Sequence, residues 1–151
     1  MPNSRPEGRA APDGAAAVRT LSLPSEVAAL ETARLAMLDF VAGQGLSARS
    51  LYRLELVLEE TLMNRVMHAF RDGGSHSIAL TLRLEPDVVS MCFEDDGVAF
   101  DPQSTPEPEP GSPAWAQPGG RGWRLTRKAV RDWHYERIGD RNRLTLRVDR
   151  D

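Results

Sequence analysis

The sequence is short of several things, and each shortage closes off a class of protein. It carries a single cysteine, Cys92, in 151 residues. That excludes an internal disulfide and metal sites built from several thiolates. No apolar run approaches the roughly 20 residues that a helix needs to span a bilayer. The N-terminus lacks the apolar core of a signal peptide, so a cytoplasmic setting with no membrane partner is expected. Charge of either sign is barely in excess. A net charge of −3 argues against direct nucleic-acid binding as the main business. What is present is ordinary for a soluble globular chain, with 40% hydrophobic and 27% charged residues. The length suits one domain with a real core.

Residues 1–16 are small, rich in Pro and Gly and without periodicity, and read as a disordered arm before a domain over 17–151. Val18 to Leu23 alternates briefly as a short strand. Pro24-Ser25 is expected to start a helix with Ser25 as its N-cap, and Gly43 to Gly45 to close it. Ser47 caps a second helix that runs to about Phe70. His76 to Leu84 and Val88 to Glu94 form a hairpin around Glu85-Pro86-Asp87. Gln103 to Pro118, rich in Pro, Ser and Glu, reads as a long loop of the kind that makes a flexible lid. A third helix opens at Gly119-Gly120-Arg121-Gly122 and runs to about Asp132. Trp133 to Ile138 and Arg143 to Val148 make a second hairpin. The order predicts a two-layer α/β sandwich, with a mixed, mainly antiparallel sheet and its helices on one face.

The second helix has no Gly or Pro between Leu56 and Phe70, and its polar residues Glu60, Asn64 and His68 recur at every fourth position. At about 100° per residue they draw one shallow row up the helix. Glu60 shares that row with Asn64, whereas Glu59 turns away toward Glu55 and the solvated edge. A carboxylate beside an amide oxygen suits a hard cation or a water, with the carboxylate able to accept a proton. The plainer reading is that Asn64 and His68 bond strand ends. Asp95 and Gly97 sit where a strand ends. A carboxylate there can accept from an amino group such as an adenine's, or it can serve turn chemistry alone. Gly120 and Gly122 lead into a helix whose first N–H groups could hold phosphate, or they relieve the loop sterically. His76 and His134 have no partner at ligand spacing, so zinc is not expected.

Taken in order, these segments resemble a known family. EETLMNRVMHAF resembles the N box of the GHKL ATPases, DDGVAFDP their first glycine box and GGRGWRLTRKAV their second. The spacing, and the tail DWHYERIGDRNRLTLRV, resemble the anti-sigma-factor serine kinase branch. The resemblance covers roughly Val18 to Val148 and implies the Bergerat fold with ATP and Mg²⁺ as cofactors. It implies Glu60 as the base that activates an attacking hydroxyl and Asn64 as the magnesium ligand. Asp95 would read the adenine amino group with Gly97 beside the ring, and Gly120 and Gly122 would meet the phosphates as the lid closes. The implied partners are an anti-anti-sigma (STAS-type) protein carrying the acceptor serine, a sigma factor, and a second copy in a homodimer. Two positions depart from the pattern. Arg65 stands where the family has a small residue, and could crowd the nucleotide or instead salt-bridge a phosphate or an Asp. Trp123 replaces a small aliphatic residue. The alternative to a kinase is a non-catalytic interaction module of the same fold that binds nucleotide weakly or not at all.

Overall fold

A computed structural model describes residues 17–70, 74–99, 111 and 122–151. Among these the order is β1 (Ala17–Pro24), α1 (Ala29–Val41), α2 (Ala48–His68), β2 (Ser77–Leu84), β3 (Val88–Asp95), α3 (Gly122–Ala129), β4 (Asp132–Ile138) and β5 (Arg141–Asp149). The strands lie side by side as β1-β2-β3-β5-β4. Every pairing between the described strands is antiparallel, so the parallel component of the expected mixed sheet has no counterpart there.

Period-two alternation sets the two faces of the sheet. Ile78, Leu80 and Leu82 of β2 are buried, as are Val89, Met91 and Phe93 of β3 and Leu144, Leu146 and Val148 of β5. Register places Phe93 opposite Leu144 and Met91 opposite Leu146, so these side chains share the inner face. Against them lie Ala33 and Met37 of α1 and Leu54, Val57, Leu58 and Leu62 of α2, all buried in one cluster. Each fully buried Leu, Val or Phe contributes roughly 1.5–3 kcal/mol. Tertiary packing of this stripe, more than helix propensity, therefore fixes α2 on the sheet.

The ends of α2 are tied differently. At its start Ser50 N donates to Ser47 Oγ at 3.1 Å, the expected N-cap. Ser50 Oγ, fully buried, lies within hydrogen-bond distance of Asp149 O (2.9 Å), Asp151 O (2.8 Å) and Asp151 Oδ1 (2.6 Å). The start of α2 is thus clasped to the end of β5. At the far end, Val98 N donates to Ala69 O at 2.8 Å, so the loop after β3 is stitched to the helix exit.

Two expected boundaries shift. Ser25 does not cap α1, whose N-cap position is Ala28 with no side-chain hydrogen bond. Instead Ser25 N donates to His76 O at 2.9 Å and Ser25 Oγ accepts from His76 N at 3.3 Å. Ser25 therefore extends the β1–β2 pairing rather than opening a helix. α3 stops at Ala129, short of Asp132, because Asp132 pairs with Arg147 as the first residue of β4. Trp123, in the first turn of α3, meets Trp133 of β4 edge to face, with ring centroids 4.8 Å apart. The large residue is absorbed by an aromatic pair.

Candidate functional site

Two adjacent rows of α2 face the end of the sheet where β3 finishes and β5 begins. Thr61, Arg65 and Ala69 follow one another at one-turn spacing, and all three are buried. One residue earlier at each step lies the row Glu60, Asn64 and His68, half-buried at Glu60 and Asn64 and exposed at His68. The helix thus carries one row inside and its neighbour along the rim.

The inner row is closed by charge. Register puts Asp95 opposite Asn142, continuing onto polar residues the inner-face row that carries Phe93 and Leu144. Arg65 Nε donates to Asp95 Oδ2 at 2.8 Å and Nη2 donates to Oδ1 at 3.0 Å. The two side chains are only 3% and 1% exposed, so this is a buried, two-pronged ion pair. Asp95 Oδ1 also accepts from Gly97 N at 2.9 Å and from Asn142 Nδ2 at 2.9 Å. Burial alone would push the Asp95 carboxyl up. The Arg65 guanidinium, followed by Asn142 and the Gly97 amide, outweighs that and holds it below the ordinary carboxylate range.

Asn142 is in turn held in place. Its Oδ1 accepts from Tyr135 OH at 2.5 Å and from Arg137 Nη1 at 3.1 Å. Its Nδ2 reaches Val98 O at 3.0 Å and Gly97 O at 3.2 Å, besides Asp95. Arg137 Nη1 donates to Gly97 O at 2.7 Å. Sequence reasoning started β5 at Arg143 and missed Asn142. The signal was parity, since Asn142 shares the inward phase of Leu144, Leu146 and Val148 and an amide on that face needs partners.

Gly97 is required by close approach. A Cβ placed on it would lie 2.6 Å from both Ala69 Cβ and Ala69 O. The space on that side of Gly97 belongs to the helix exit.

The rim row is different. Asn64 Oδ1 is buried and has no hydrogen-bond partner among the described residues. A buried amide oxygen left without a donor is uncommon and suits a ligand that supplies positive charge. Glu60 sits one turn before it and is engaged in an interaction of its own. Gly122 is the first residue of α3. Gly120, and all but Gly111 of the segment 103–118 expected to form a lid, lie outside the described residues, as does the arm over 1–16.

A family model described as the histidine kinase-like ATPase domain matches residues 23–148. The serine/threonine-protein kinase BtrW of Bordetella bronchiseptica is 43% identical over 101 residues, which are 66% of this chain and 71% of that protein. The serine-protein kinase RsbW of Listeria innocua is 26% identical over 82 residues, 54% of this chain and 52% of that protein. The chain therefore spans about half the length of the Listeria relative. Two solved structures share the fold. The RsbU and RsbW domains of Rv1364c from Mycobacterium tuberculosis match with a TM-score of 0.61 at 14% identity, covering 88% of this chain and 32% of that one. The histidine kinase domain of the Erythrobacter litoralis EL346 blue-light activated histidine kinase matches at 0.54 and 19% identity, covering 82% and 60%.

Proposed function

The chain belongs to the histidine kinase-like ATPase family, and on that premise we propose that it is an ATP-dependent serine/threonine protein kinase and anti-sigma regulator. Its acceptor is a serine on an anti-anti-sigma partner, and it sequesters a sigma factor. We place it in the cytoplasm, acting as a homodimer. None of the described helices is long and apolar enough to cross a membrane. The domain is taken as 17–151, with 103–118 as its lid.

The observation that carries the reading is the orphaned Asn64 Oδ1, buried one helical turn from Glu60. An amide oxygen is a hard donor of the kind Mg²⁺ takes, so Asn64 is assigned to hold it. The bound ion would neutralise charge on the ATP phosphates. Glu60 accepts the proton of the attacking serine hydroxyl. The serine Oγ–phosphorus bond forms, the bond from the γ-phosphorus to the bridging oxygen breaks, and ADP leaves. Asp95 is assigned to the adenine amino group, Gly97 to the approach of the ring, and Gly120 and Gly122 to the phosphates. Positioning and charge neutralisation supply most of the catalysis in such a transfer.

One observation favours the second reading, a non-catalytic module of the same fold. It is the buried Arg65–Asp95 pair, which already occupies the carboxylate assigned to the base. A titration of the protein with ATP and Mg²⁺ separates the two, and absence of binding at millimolar ATP rejects the kinase. Where ATP binds, Glu60→Gln is expected to lower transfer to the partner by about 10²–10⁴-fold with ATP affinity nearly unchanged. Equal transfer by the variant removes Glu60 from the mechanism.

A further inference from the structure

We propose that Arg65 is a specificity-determining residue that competes with the exocyclic amino group of a purine for the carboxylate of Asp95. The inference rests on the reading that Asp95 faces the base. A carboxylate offers about four lone-pair positions. Four protein donors meet Asp95, namely Arg65 Nε, Arg65 Nη2, Gly97 N and Asn142 Nδ2. Three of them converge on Oδ1 and Arg65 Nε takes Oδ2. With the Asp95 side chain only 1% exposed, an incoming amino group reaches neither oxygen until one of these donors leaves.

The four donors are not equally able to leave. Gly97 N is main chain in a loop pinned to Ala69 O through Val98 N. Asn142 is gripped on its other side by Tyr135 and Arg137. Arg65 supplies two donors from one guanidinium at the end of a three-carbon stem with rotatable bonds. Although its Nη2 also reaches Val98 O at 3.3 Å, this side chain is the longest and most rotatable of the donors, and the one whose departure frees both oxygens together. Base reading is therefore coupled to opening of this pair. The apparent affinity for an amino-bearing purine falls by the fraction of molecules in which the pair is open. A 6-oxo purine presents an acceptor at the same position and gains nothing from an opened Asp95. Wild-type protein is thus expected to distinguish adenine poorly from hypoxanthine.

The test titrates the full chain with ATP and with inosine triphosphate, each with Mg²⁺, in wild type and in two variants. Arg65→Met keeps most of the stem's volume and removes both donors, while Arg65→Lys keeps the charge and loses the fork. For Arg65→Met, ATP is expected to bind about tenfold tighter than to wild type and about tenfold tighter than inosine triphosphate. This gain comes despite a lower melting temperature, since the pair is buried. Arg65→Lys is expected to fall between the two, by roughly threefold, and carries the comparison if the Met variant fails to fold. A purely structural Arg65 would give unchanged or weaker ATP binding, or an equal change for both nucleotides, and either result overturns the proposal while leaving the kinase reading standing. No binding of either nucleotide to any of the three proteins overturns both.

Discussion

Asn64 and Arg65 are neighbours in the chain and live under opposite conditions. Arg65 points inward to Asp95, a carboxylate that four protein donors surround. Asn64 points along the rim with a buried oxygen that no donor among the described residues meets. One residue of helical rotation, about 100°, separates a saturated polar core from an unsatisfied polar surface. The Arg65 corner is built to close, because leaving one partner of a buried pair alone is costly. The Asn64 corner carries an unmet demand among the described residues, so a ligand can be taken there without any protein contact being given up.

Mutation should widen this contrast, and the largest effect belongs to the closed corner. Asp95→Ala leaves a guanidinium buried and uncompensated, and is expected to cost about 3–5 kcal/mol of stability in urea unfolding. The same pair sets a pH signature. The folded-state carboxyl of Asp95 is depressed, so its stabilisation is complete above the unfolded value of about 4 and is lost as pH falls through the lower folded value. The stability gap between wild type and Asp95→Ala should stay constant from about pH 8 to 5 and narrow below about pH 4. A gap that widens on acidification would place the charge elsewhere.

Gly97→Ala comes next. Its new methyl meets Ala69 at 2.6 Å, and a loss of about 1–3 kcal/mol is expected. Ala69→Gly should not rescue it, because the backbone oxygen of residue 69 is as close as its Cβ. Full rescue would mean that the helix exit can shift.

Asn64→Ala should change stability least, by no more than about 0.5 kcal/mol, since the acceptor it removes satisfies no donor among the described residues. The same substitution should abolish Mg²⁺-dependent tightening of ATP binding. Loss of stability comparable to that of Asp95→Ala would erase the distinction between the corners.

Much of this arrangement was legible in residue patterns, and the failures have identifiable causes. Period-two alternation placed β2, β3 and β5, and the Ser47 cap gave the start of α2 correctly, because both signals are local. Ser25 was equally plausible as a cap by its type and its position after Pro24. Its hydrogen bonds to His76, 51 residues away in the chain, decided otherwise. Arg65 could be narrowed to a steric obstruction or a salt bridge to a phosphate or an Asp. Only the packing of α2 over the end of β3 selects Asp95. Asn142 was hidden by its setting next to a turn, where polar residues are ordinary, although its parity with Leu144 marked it as inward.

The clasp between Ser50 and the residues at Asp149–Asp151 has a consequence for the order in which the protein assembles. The contact joins positions 101 residues apart, so the loop it closes takes in β2, β3, α3, β4 and β5. Contacts of such long sequence separation form late and slow the approach to the native state. During synthesis, α2 is complete within the first half of the chain and can coil there. Its start can be fastened only after the residues around Asp149 have emerged. The helix that carries both corners is thus among the earliest elements able to form and among the last to be locked in register with the sheet.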